Sequence, residues 1–274
     1  MNALGIIQGR LSQPTDGQIQ SFPVNSWQEE FHQARDLGLD CIEWVYDTAT
    51  YQDNPLLTEQ GVQEIQQLTK KTGVKVWSVC GDYFRDYPLI RVDQETLEQR
   101  LQALSTLIVQ CQKAAIGRIM LPFVDHAAIS TDAEFQQAVD ALTMILPFAQ
   151  AHDIVITLET ALPPEKFKAL LAAVNHRALA VTYDIGDRVS LGGNVAEEIT
   201  LLRPWLELVH LKDRLTGGTT VPPGNGDANF GEAFGALANL NYGGPFILQF
   251  ARGETGQELE TIHHHIEFVQ QYTG

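Results

Sequence analysis

Short apolar runs alternate with longer stretches of helical period eight times along this chain, and nothing else in it limits the fold so strongly. The runs occupy residues 4–8, 41–44, 74–79, 118–123, 154–159, 179–184, 205–210 and 246–249. Between them the apolar spacing changes to three and four. Leu97, Leu101, Leu104, Ile108 and Cys111 share one helical face, as do Phe135, Ala138, Leu142, Ile145 and Leu146, and later Leu259, Ile262, Ile266 and Val269. Ser26 with Glu29 and Thr131 with Glu134 have the spacing of reciprocal helix caps. Pro163 and Pro164 stand where a helix can begin. Eight strand–helix units with no break in composition predict an α/β chain folded as a single (β/α)₈ barrel, with residues 1–274 forming one domain. A doubly wound open sheet would call for a glycine fingerprint after its first strand, and residues 5–10 lack that spacing.

A chain of 274 residues with 44% hydrophobic side chains can bury a barrel core. Its formal charge of −16, with 18 Lys and Arg spread along its length, excludes a basic groove for nucleic acid. No stretch approaches the roughly 20 apolar residues of a membrane span. Residues 1–7 carry no basic segment and no long apolar core, so we expect no signal peptide and a cytoplasmic location. Cys41, Cys80 and Cys111 are widely spaced and read as small buried residues. The expected partner is a small-molecule carbohydrate, not a nucleic acid or a membrane, and a homo-oligomer is compatible with the composition.

Four of the later strands end on side chains that can hold a metal: Glu159, Asp184, His210 and Gln249, separated by 25, 26 and 39 positions. In a parallel barrel all strands finish on one face, so these four are expected to converge there. A carboxylate at a strand end often caps the following helix, and an isolated histidine is more often a buried imidazole than a ligand. Four such residues on consecutive strands favour a ligand set. Two carboxylates, one imidazole and one amide form a hard O/N set suited to a divalent Mn, Zn, Mg or Co ion. The longer third interval holds the segment 216–227, rich in Gly, Thr and Pro, which reads as a wall or lid over that face. Around the mouth we expect Gln8, Arg10, Glu43, Trp44, Asp82, Tyr83, His126, Asp187, Arg214 and Arg252 to contact substrate, with Trp44 and Tyr83 against a sugar face and Arg10, Lys212 and Arg252 as anion partners. The run His263-His264-His265 reads as a solvated helix face, because adjacent helical positions point in different directions.

The chain resembles the xylose-isomerase-like TIM barrels, the sugar phosphate isomerase/epimerase group, over essentially its whole length. The resemblance is carried by residues 5–12 (Gly-Ile-Ile-Gln-Gly-Arg-Leu-Ser), 42–44 (Ile-Glu-Trp), 156–159 (Ile-Thr-Leu-Glu), 183–186 (Tyr-Asp-Ile-Gly), 209–214 (Val-His-Leu-Lys-Asp-Arg) and the turn 224–227 (Gly-Asn-Gly-Asp). It implies that Glu159, Asp184 and His210 bind a divalent metal, and that Glu159, His210 and Lys212 serve catalysis. The family completes its site with a glutamate on the last strand, where this chain has Gln249, and several of its epimerases carry a histidine where this chain has Asp187. Family epimerases pair two glutamates as bases on opposite faces of the substrate. An amide is no base near neutral pH, so proton transfer by Glu159 alone, in isomerisation or in loss of a β-hydroxide, fits better. A second acid from Glu43, His126 or Asp187 would restore epimerisation. The competing readings are a keto-polyol dehydratase, a sugar-binding barrel without activity, and a repair endonuclease. The last would need more metal ligands and a basic groove.

Overall fold

A computed structural model describes residues 2–14 and 17–273. Eight parallel strands form at the expected places, within one or two residues: β1 (Leu4–Ile7), β2 (Cys41–Val45), β3 (Lys75–Cys80), β4 (Arg118–Phe123), β5 (Val155–Thr160), β6 (Leu179–Asp184), β7 (Leu206–Leu211) and, last, β10 (Phe246–Leu248). They close in chain order, with β10 pairing both β7 and β1, into one barrel. Every residue of β2 and β6 is buried, because the helices cover one face of each strand and the barrel interior covers the other. The register sets Asp184 of β6 directly beside His210 of β7. Gln249 follows β10 and continues the ladder through its N–H to the Leu211 carbonyl at 2.9 Å. The carboxyl ends of β5, β6, β7 and β10 therefore bring the four residues singled out from sequence to one rim.

The expected wall after β7 is a short antiparallel hairpin, β8 (Asp213–Arg214) and β9 (Thr220–Val221). Buried Asp213 organises the rest of the loop. Its Oδ2 accepts from the Gly224 and Gly226 N–H groups at 2.8 and 3.0 Å, and Oδ1 from Ala228 at 3.2 Å. A Cβ on residue 226 would lie 2.1 Å from Asp213 Oδ1, which is why that turn needs glycine there.

Two local expectations need correction. Thr131 and Glu134 form the reciprocal cap, but the Ser26 side chain caps nothing. Its hydroxyl donates instead to Ser12 Oγ at 2.8 Å, and Ser12 donates to Glu30 at 2.8 Å. The partner across space outcompetes the helix end. On the last helix (Glu258–Thr273), His263 and His264 are exposed, but His265 is buried with its ring 5.2 Å from that of Phe250. Burial pushes its pKa down to about 4. All three cysteines are free and buried. Among the described residues, no helix is long and apolar enough to cross a membrane.

Asp213→Ala strands three backbone N–H groups. Hydrogen bonds to a charged acceptor contribute about 1.5–3 kcal/mol each, with incomplete additivity. We expect a loss on the order of 3 kcal/mol in chemical denaturation, together with new protease cleavage within residues 215–228.

Candidate metal and active site

At the carboxyl ends of the strands lies a cavity of about 470 Å³, lined by Glu159, Gln249, Lys212, Asp187, Asp82 and Arg10 among others. Glu159, Asp184 and His210 each direct one ligand atom so that the three lie within 4.8 Å of one another. His210 Nδ1 is 3.4 Å from Glu159 Oε2 and 3.8 Å from Asp184 Oδ2. Asp184 caps the helix that follows its strand. Its Oδ1 caps the helix Ile185–Ser190 by accepting from the Asp187 N–H at 2.8 Å, while Oδ2 lies 2.7 Å from Lys212 Nζ. Gly186 lets that helix press on β7's end, since a Cβ there would stand 2.8 Å from the Lys212 carbonyl. On its far side, His210 Nε2 lies 2.8 Å from Glu43 Oε2.

Burial dominates the electrostatics. It pushes Glu159 up to about 7, against the His210 contact and with help from Asp184 and Asp187. Asp184 is raised by burial and by Asp187. Burial alone would lower His210 and Lys212, but the carboxylates around them raise both, Glu43 first for the imidazole and Asp184 first for the ammonium. This anionic pocket suits a cation. Four of its buried atoms, Asp184 Oδ2, both ring nitrogens of His210 and Gln249 Oε1, lack a hydrogen-bond partner among the described residues. Carboxylate, imidazole and amide donors gathered at one rim, with donor atoms left unsatisfied, fit a divalent ion.

The remaining expected residues divide sharply. Asp82, Asp187, Lys212, Arg214 and Arg10 line the cavity. Lys212 and Arg214 are already engaged, for Lys212 Nζ is also 3.3 Å from Asp187 Oδ2 and Arg214 Nη1 donates to Asp187 Oδ1 at 2.8 Å. Arg214 further holds the Gly218 carbonyl at 2.7 Å, bracing the hairpin. Arg252 spends its donors on the backbone carbonyls of Ile19, Ser12 and Gly9, so it clamps a loop in place of binding an anion. Arg10 donates to the Ile19 carbonyl, and burial, then Arg252, lowers its pKa to about 9.

Others lie away from the mouth. Trp44 has no exposed surface; its indole donates to Asn54 Oδ1 at 3.0 Å and packs on Phe22 and Trp27, so it cannot stack on a sugar. Glu43 sits behind His210, and buried Gln8 accepts from the Val45 N–H at 3.1 Å. The Tyr83 ring joins Tyr46, Tyr51 and Tyr87 at 5.4, 5.1 and 4.9 Å, outside the cavity lining. His126 is exposed, and its neighbour Asp125 reaches the cavity in its stead. Sequence reasoning missed Gln20. It accepts from Gln249 Nε2 at 2.8 Å and donates to Asp82 Oδ2 at 2.7 Å. Gln20 stands in an irregular loop with no periodicity to mark it.

Residues 31–272 match the family model of the xylose isomerase-like TIM barrels. The chain belongs to that family. It is 26% identical over 235 residues to the L-ribulose-5-phosphate 3-epimerase UlaE of Shigella flexneri serotype 5b, covering 81% of each chain. Among solved structures it is similar to a D-psicose 3-epimerase crystallised in the presence of D-fructose, with TM-score 0.79, 14% identity and coverage of 98% of this chain and 99% of that one. It is also similar to the IolI protein with a bound zinc atom, with TM-score 0.75, 14% identity and coverage of 99% and 96%. At these identities the solved structures report the shared fold.

The loop after β1, which borders the cavity, rests on Glu30. Its carboxyl accepts from the Gly9 N–H at 2.9 Å and from Ser12, and burial raises its pKa from 4.5 to about 7. A raised carboxyl binds its proton more tightly in the folded chain. Its stabilisation is complete below pH 4.5 and is lost as pH rises through about 7. We therefore expect the thermal midpoint of the metal-free protein to fall between pH 5 and 8, and Glu30→Gln to make that decline shallower. An identical slope in the variant would assign the effect to other groups.

Proposed function

We propose that the chain is a divalent-metal-dependent epimerase or isomerase of a small keto sugar, transferring a proton at the carbon beside the substrate carbonyl. The observation that carries this reading is the convergence of ligand atoms of Glu159, Asp184 and His210 within 4.8 Å of one another, at the edge of a cavity that Glu159 and Gln249 line, Gln249 with an unpartnered amide oxygen. The family supports it, as does a relative named for epimerising L-ribulose-5-phosphate. Glu159, Asp184, His210 and Gln249 would hold the ion. When bound, a divalent ion polarises the substrate carbonyl and offsets the negative charge that grows as the proton leaves.

Glu159 is the base. It is the one carboxylate of the ligand triad that lines the cavity, so it alone of them meets a substrate carbon there. Lys212, fixed between Asp184 and Asp187, adds a fixed positive charge toward developing negative charge. One base suffices for aldose–ketose isomerisation. Epimerisation also needs an acid for the other face, and Gln249 cannot be that acid. Asp187 is unsuited too: despite burial, Lys212 and Arg214 hold it at about 2. Asp82 is the better candidate, because burial favours its protonated form and Gln20 links it to Gln249.

The test is solvent-deuterium incorporation beside the carbonyl of ketoses and ketose phosphates with Mn²⁺ added. Glu159→Gln should lose about 10²–10⁴ in exchange rate while retaining part of its metal through the amide oxygen. Asp82→Asn should still exchange but form less epimer. Wild-type exchange in Glu159→Gln would place the base elsewhere and overturn the assignment.

A further inference from the structure

We infer that Glu43 is a positioning residue that, braced by Ser78, sets the His210 ring so that Nδ1 faces the metal cavity; the inference rests on the metal reading of that site. Glu43 is the third residue of β2 and has no exposed surface. A carboxylate removed from water costs several kcal/mol unless its neighbours compensate. Two side chains do so. Ser78 Oγ donates to Oε1 at 2.8 Å, and His210 Nε2 meets Oε2 at 2.8 Å.

The backbone is built for both contacts. The pairing of β2 with β3 shifts register between Ile42 and Glu43, and the shifted register sets Glu43 directly beside Ser78. An irregularity of this kind re-aims a side chain. Here the carboxylate points across the barrel interior to β7, and Glu43 is absent from the cavity lining. It sits on the far side of the His210 ring from Glu159 and Asp184 and acts through that ring. Of the two imidazole nitrogens, Nε2 lies 2.8 Å from Glu43 Oε2, whereas Nδ1 is turned to the ligand side, 3.4 Å from Glu159 Oε2 and 3.8 Å from Asp184 Oδ2. With Nε2 held toward Glu43, Nδ1 is the nitrogen that would ligate a metal between Glu159 and Asp184. Carboxylates behind ligating histidines typically govern 10–100-fold in metal affinity.

Two measurements test this. In chelator competition with Zn²⁺ or Mn²⁺, Glu43→Gln should bind metal about 10–100-fold more weakly, and Ser78→Ala should weaken it several-fold in the same direction. A purely structural role would lower the unfolding midpoint and leave the affinity of the folded protein unchanged. Affinities within twofold of wild type overturn the inference, and if Glu43→Gln does not fold, Ser78→Ala decides alone. The second measurement needs no metal. In the ¹H–¹⁵N spectrum of the metal-free protein, the His210 Nε2 proton should give a downfield, exchange-protected signal that is lost in Glu43→Gln and shifted in Ser78→Ala. If wild type binds neither metal, the proposed function fails and this spectrum alone decides the ring assignment. A signal unchanged in both variants overturns it.

Discussion

An imidazole with no contact to solvent is held among carboxylates from three other strands, Glu43 of β2, Glu159 of β5 and Asp184 of β6. Charges buried at such density are tolerated only when each offsets another. Closing the barrel supplies that condition, because it brings the ends of distant strands to one rim. Lys212 and Asp187 extend the network outward, and Arg214 carries it into the hairpin that walls the mouth. The same side chains that set the electrostatics of the cavity thus also fasten its loops.

The basic residues of the mouth are mainly struts. Arg252 gathers three carbonyls of the loop after β1, and Arg214 grips Gly218. Asp213 does the converse, drawing three N–H groups inward. Such fixed partners tie the loops around the cavity to the barrel.

Gln249 brings an amide, not a carboxylate, to the end of the last strand. An amide supplies an oxygen donor but neither negative charge nor a basic site. Its N–H group reaches Gln20 and, through it, Asp82, so the side of the cavity that lacks a carboxylate on the last strand has one a hydrogen-bonded step away.

Much of this was legible in sequence. The β-to-helix alternation states which segments are strands. The parallel barrel rule then places Glu159, Asp184, His210 and Gln249 at a common rim, because strand ends are a one-dimensional property of the chain. What lay outside its reach depends on direction and on competition between partners. Nothing local says that a register shift at Glu43 turns its carboxylate beneath a histidine 167 positions away, or that Trp44 next to it packs outward against Trp27. The Ser26 hydroxyl had a helix cap available and bonds to Ser12 instead, and of three adjacent histidines only His265 turns inward. Sequence determines which side chains a strand delivers to the rim. Only the closed barrel decides which way each one points and which neighbour claims it first, since both are settled by distances across the chain.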